Sequence, residues 1–316
     1  MTASPKRSAC WPVLLCAWLM AIAAAPPRRL LAQTAPGEIG GYRIPVPGEK
    51  VEGTTAKLSE VEAEMVARMA PQGQAERLLQ YAISHHVGAT DDLKARAKGW
   101  RGAITFTPAL DALLDVARNG DDLRVRAAAI EVELAAMDIA RTPAQVEVLL
   151  AQIAAGPQQA RRAIYILGDL ANRGVETDRI HNELRVLARS EEELIRFQAY
   201  AAIAQIGTNE TVPDLVDAFH HDPSAVVRID GGGCGLAHCG MLTRAQRMLA
   251  VPGLIEMVED RSLATADIAY GYRALREITD AQLADNPRLW REWFAAHGAE
   301  TMDRFRRFED SPDRRR

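Results

Sequence analysis

Three consecutive stretches decide the fold: TPALDALLDVARNGDDLRVRAAAIEVELAAM (107–137), TPAQVEVLLAQIAAGPQQARRAIYILGDLANRG (142–174) and TDRIHNELRVLARSEEELIRFQAYAAIAQIG (177–207). Their first residues, Thr107, Thr142 and Thr177, are spaced by 35; Val212-Pro213 follows after another 35 and Val251-Pro252 after 39. Threonine before proline suits a helix start: the hydroxyl caps an unpaired backbone N–H, and proline lacks the N–H that the first turn could not use. Leu114, Leu149, Leu184, Phe219 and Val258 stand at one fixed offset from these starts, and Leu110, Gln145, Ile180, Leu215 and Leu254 at another. This is one apolar face kept in register, with Gln145 the single miss. Each unit then turns into a second, alanine-rich helix marked by Arg126, Arg161, Arg196 and Arg228. Such helix pairs cannot bury their apolar faces alone and must stack on one another.

Composition agrees. Among 316 residues, 48% are hydrophobic but only 5% aromatic, and 54 are alanine, so small side chains at close helix contacts supply the core. Extended β-structure is disfavoured because the residues that suit strands are scarce. Ahead of the repeats, Ser59 and Glu62 have the spacing of a capping box, which places helices over 58–100.

The turn-and-arginine segments DDLRVRAAA (121–129), EEELIRFQAYAA (191–202) and HDPSAVVRIDGG (221–232) are similar to the HEAT-repeat family in its short, alanine-rich bacterial form. ALREITDAQLADNPRLWREWF (274–294) resembles the end cap of such proteins, with Trp290 and Trp293 sealing the last pair. The resemblance implies an all-α, right-handed α-solenoid of about five antiparallel helix pairs over 107–279, with N- and C-terminal capping helices. It also implies a non-enzymatic scaffold whose concave surface, lined by second helices, binds a protein or peptide without a cofactor. Glu131, Gln198, Gln205 and Arg273, polar residues of second helices, are the candidate binding residues. The tetratricopeptide pattern of Trp, Gly-Tyr and Pro positions is absent.

The N-terminus reads as a secretory signal. Lys6 and Arg7 precede a 15-residue apolar run, Trp11 to Ala25, too short for the ~20 residues of a spanning helix. Small-residue exits follow, and cleavage near Ala32/Gln33 is expected. The organisation is thus a signal peptide at 1–33, a flexible linker rich in Gly and Pro at 34–57, the solenoid at 58–298 with its C-terminal cap at 280–298, and a disordered tail at 299–316. The expected location is the periplasm, cell envelope or exterior, with membrane contact only if the leader stays uncleaved. The net charge of −4 becomes −8 without the leader, so binding to nucleic acid is not expected.

Cleavage leaves two cysteines, Cys234 and Cys239, inside IDGGGCGLAHCG (229–240). Five glycines there mean that either a neighbouring backbone comes very close or the helix breaks. Cys234, His238 and Cys239 have metal-ligand residue types, but Cys234 aligns with Val132, Leu167 and Ala202 of the other units and His238 with Ala136, Ala171 and Ile206, which marks both as core, and no metal is expected. Two cysteines in an exported chain usually pair. In a regular α-helix, Cα atoms at i and i+5 lie about 8.7 Å apart, beyond the ~7 Å limit for a disulfide, so pairing requires the helix to unwind. The alternative function is a HEAT-like enzyme, lyase-like or metal-dependent, centred on these three residues. No nucleophile elbow, metalloprotease, phosphate-loop or EF-hand motif is present. His85-His86 and His181 read as core-edge histidines on amphipathic helices.

Overall fold

Thr107 accepts a hydrogen bond from Leu110 N (3.0 Å) and Thr142 one from Gln145 N (3.4 Å), so both open helices as their Thr-Pro pairs predict. Thr177 instead is the first residue of its helix, and its hydroxyl donates to Ala171 O (2.9 Å). The computed structural model describes residues 58–309, together with a two-residue antiparallel pairing of Glu38 with Arg43 and Ile39 with Tyr42. The leader, the rest of the spacer and residues 310–316 lie outside the described residues.

Apart from that pairing and a lone bridge residue at Val87, the described chain is helix, turn and short irregular connections. Helices α1 (Glu60–Arg68), α2 (Pro71–Ile83) and α3 (Ala89–Trp100) come first. The Ser59–Glu62 capping box forms in both directions. Three pairs follow: α4 (Pro108–Asn119) with α5 (Leu123–Ala136), α6 (Pro143–Ala154) with α7 (Pro157–Asn172), and α8 (Thr177–Leu187) with α9 (Glu193–Ile206). In the fourth unit α10 (Val212–His221) is followed by π-helix, Val227–Gly233 and Gly235–Cys239. A short α11 (Arg244–Arg247) leads to the fifth pair, α12 (Val251–Glu259) and α13 (Thr265–Thr279), and α14 (Pro287–Glu309) closes the chain.

The apolar register is buried as read. Leu114, Leu149, Leu184, Phe219 and Val258 are all core, as are Leu110, Ile180, Leu215 and Leu254, while Gln145 is half-buried. The marker arginines have a common task. Arg126 donates to Gly120 O, Arg196 to Ser190 O and Arg228 to Asp222 O, each pinning the carbonyl six residues back at the turn between paired helices. Arg196 then reaches Asp222 of the following unit (2.8 Å) and Arg228 reaches Asp267 (2.6 Å). Arg161, whose turn is Gly156-Pro157, is exposed and makes no such bond. Second helices approach closely: a Cβ on Gly168 of α7 would lie 2.8 Å from the Ala202 carbonyl oxygen of α9.

The buried apolar residues form two clusters, one from Val66 to Ala135 and one from Ile130 to Phe305. Helix α5 contributes to both and is buried on nearly every side. From its N-terminal turn, Arg126 Nη1 donates to His238 O (2.8 Å) and Gly240 O (3.0 Å), which ties the first unit to the end of the fourth.

Two expectations are corrected. The chain does not leave the fold at 298: α14 continues to Glu309, with Thr301 and Phe305 buried and Glu309 accepting from Arg244 N (2.6 Å). An amphipathic face therefore persists into the segment read as a charged tail. His85 and His86 lie in the turn after α2, not on a helix, and His85 has φ 56°. His181 is buried on α8, with Nε2 2.6 Å from Asp214 Oδ2. Trp290 is fully buried beside Trp293, ring centroids 6.2 Å apart.

Candidate functional site

The glycine-rich helix of the fourth unit settles the choice posed by its sequence: the backbone approach is close, and the helix widens instead of breaking. A Cβ on Gly232 would lie 2.5 Å from Phe219 N and 2.7 Å from Leu215 O, so only glycine lets this helix lie on α10. On the opposite side, a Cβ on Gly235 would meet Ala204 Cβ at 2.8 Å, and one on Gly240 would meet Ala204 O at 2.9 Å. Winding with i→i+5 hydrogen bonds also changes which residues share a face. Cys234 and Cys239 come to disulfide distance, with Cα atoms 5.1 Å apart.

The same change of phase overturns the core assignment of His238. Leu236 and Ala237 occupy the interior, His238 is exposed and Cys234 is half-buried. The carbonyls at the end of the π-helix, left without helical partners, are taken by two arginines. Arg126 holds those of His238 and Gly240, and Arg247 of α11 holds those of Ala237 and Leu242. Burial, together with the neighbouring Arg126, lowers Arg247 to about 10.

His238 sits between a sulfur and a carboxylate. Its Nε2 lies 3.4 Å from Cys234 Sγ and its Nδ1 2.8 Å from Glu277 Oε1 on α13. The hydrogen bond to His238 holds the Glu277 carboxyl below its ordinary range, against the opposing effect of partial burial. A cleft of about 230 Å³ opens here, lined by Ile229, Asp230, Tyr270, Arg273 and Glu277 beside Cys234 and His238. Sequence reasoning found the cysteines, His238 and Arg273 but missed Glu277, Tyr270 and Arg247. They come from other helices at no fixed spacing, so no local pattern marks them.

The ligand atoms of Cys234, His238 and Cys239 lie within 4.8 Å of one another. Two thiolates and an imidazole oriented by a carboxylate would suit zinc, but sulfurs joined to each other are not thiolate ligands. The arrangement therefore offers either disulfide chemistry or, with both thiols reduced, metal ligation.

The other candidate residues lie elsewhere. Glu131 is 2% exposed and paired with Arg141 (2.6 Å) and Arg173 (3.5 Å). It lines a larger cleft, about 700 Å³, with Lys98 and Arg101 of the α3 end and Arg141 and Arg173. Gln198 and Gln205 are half-buried on α9 and line neither cleft. Near Glu131, Asp169 of α7 is fully buried and shares Arg118 with Glu133; Arg118 Nη2 lies 2.7 Å from Asp169 Oδ2. Burial raises the Asp169 carboxyl to about 6, with repulsion from Glu133 adding to it and Arg118 opposing.

Stacked helix pairs with arginine-pinned turns and clefts along their second helices define a helical-repeat protein. Residues 146–231 match the family model of HEAT repeats, so this segment of the chain is built of HEAT repeats. Comparison with curated proteins gives no match, and neither does comparison with solved structures. HEAT repeats generally serve as non-enzymatic scaffolds for protein interaction.

Proposed function

We propose that this chain is an exported scaffold that binds a protein or peptide segment in the cell envelope along the face built by its second helices. The observation that carries this reading is the 700 Å³ cleft, to which α3, α5 and the end of α7 contribute. Its four basic side chains face Glu131 inside and Asp138 at Arg101, so its mouth is net positive and suits an acidic segment. Export is supported by the basic start, the short apolar run and the small-residue exit of the leader. Among the described residues, no helix is long and apolar enough to cross a membrane.

Photo-crosslinking in cells tests the binding face. A crosslinker at Gln198, Gln205 or Arg273 should capture a partner. The exposed first-helix positions Val148 and Val186 should not, and Lys98→Glu combined with Arg101→Glu should weaken capture. Equal capture from both faces, or none from the second helices, would remove the proposal. An intact mass that begins near Gln33 is the expected sign of export, and a full-length mass would contradict cleavage.

A further inference from the structure

We propose that Cys234 and Cys239 form a thiol–disulfide exchange centre in which His238 holds the proton of the Cys234 thiol. The proposal goes beyond the scaffold reading and does not depend on it.

Three observations carry it. The pair closes a loop of four intervening residues inside one helix. A disulfide braces a fold more as the loop it closes lengthens, and this one joins no two units. Next, His238 is arranged as a proton acceptor for sulfur. With Nδ1–H donating to Glu277 at 2.8 Å, the lone pair of Nε2 faces Cys234 Sγ at 3.4 Å. Finally, the pair is open to a substrate. Asp230 lines the adjoining cleft from the same helix and Tyr270, Arg273 and Glu277 line it from α13, while Arg247 of α11 and Arg126 of α5, with Asp121 beside both, hold the backbone carbonyls at the helix end. The 230 Å³ cleft leaves the pair within reach of a substrate.

In the reduced state the Cys234 thiol passes its proton to His238 Nε2, and the thiolate attacks one sulfur of a substrate disulfide. That S–S bond breaks, and the departing thiolate takes the proton from His238, leaving a mixed disulfide on Cys234. Cys239 loses its proton to water and attacks the Cys234 sulfur. This closes the 234–239 bond and expels the second substrate thiolate, which is protonated by water. Two electrons pass from the protein dithiol to the substrate disulfide, and in reverse a substrate dithiol is oxidised. The substrate class is a peptide or small-molecule disulfide or dithiol. Glu277 acts through His238 and is a positioning residue.

The test uses the full chain carrying Cys10→Ser and Cys16→Ser, with glutathione as the probe. The folded protein should be reduced and reoxidised reversibly by mixtures of reduced and oxidised glutathione. Adding Cys239→Ser should trap a glutathione adduct on Cys234. After reduction, Cys234 should react with iodoacetamide with an apparent pKa below the ordinary ~8.5. His238→Ala should lower that rate at pH 7 about tenfold, the effect of one pKa unit. Glu277→Gln should move the pH profile the same way by less. His238 is exposed, so a thermal melt of each variant confirms an intact fold. The proposal fails if the bond opens only on unfolding, or if Cys234 alkylates with an ordinary pH profile whether or not His238 is present. It also fails if the reduced protein binds one equivalent of added zinc that masks both thiols, which would make the cluster a metal site.

Discussion

Gly168 shows how much a single absent methyl group contributes here. Alanine normally exceeds glycine inside a helix by roughly 1 kcal/mol, yet a Cβ at Gly168 would sit 2.8 Å from one Ala202 backbone atom and 2.9 Å from another. Overpacking of this kind costs about 1–3 kcal/mol, so Gly168→Ala should destabilise. Gly99→Ala, which meets nothing within 4 Å, should be neutral or stabilising by up to about 1 kcal/mol. Denaturant unfolding of the two variants side by side checks the contrast, and a stabilised Gly168→Ala would refute it. Asp169 makes a second prediction at this scale. Its folded pKa, about 6, lies above the ordinary ~3.9 of an unfolded aspartate. The folded state therefore binds the proton more tightly, and this group's contribution is full below about pH 4 and is lost as pH rises through about 6. The melting difference between wild type and Asp169→Asn should change across that window and level off above it. A difference independent of pH would mean that the carboxyl is not shifted.

At the scale of the helix, the 35-residue register gave a direct route from sequence to core. Leu149 and Leu184 are 1% and 0% exposed, so Leu149→Ala and Leu184→Ala should each destabilise by roughly 2–5 kcal/mol, read from urea denaturation. A loss under half of the lower bound would show that the apolar face is misplaced. Helix starts, apolar faces and turn arginines were legible because each recurs at a spacing of 35 through the first three units, departs from it by only a few residues afterwards, and arises from interactions within a turn or two. The fourth second helix was legible only as a choice between close approach and a break. Its glycines announce a close neighbour, but widening to i→i+5 bonds depends on α10 and α9 pressing from both sides, and no periodicity records that. For the same reason alignment with Ala171 and Ile206 misplaced His238, since those positions belong to helices of ordinary pitch. Glu277 escaped notice because its role is set by the neighbouring unit across the cleft.

Over the whole molecule, the contact from Arg126 to the carbonyls of His238 and Gly240 departs from an array in which each unit touches only its neighbours. These positions are separated by more than a hundred residues, and nothing in either segment announces the other. Arg126→Ala should cost roughly 1.5–3 kcal/mol, the range for hydrogen bonds to a charged group, and should speed amide exchange in 237–242 as well as around α5. Unchanged exchange in 237–242 would show that the two ends do not support each other. Arg126→Lys should recover little, because one ammonium cannot reproduce the guanidinium that spans Gly120 O on one side and the pair of carbonyls on the other. An open helical array can be lengthened or shortened during evolution by whole-unit duplication or deletion. Here an extra unit spliced between α7 and α8 would carry residues 237–242 away from α5, so the latch fixes the number of units as well as their shape.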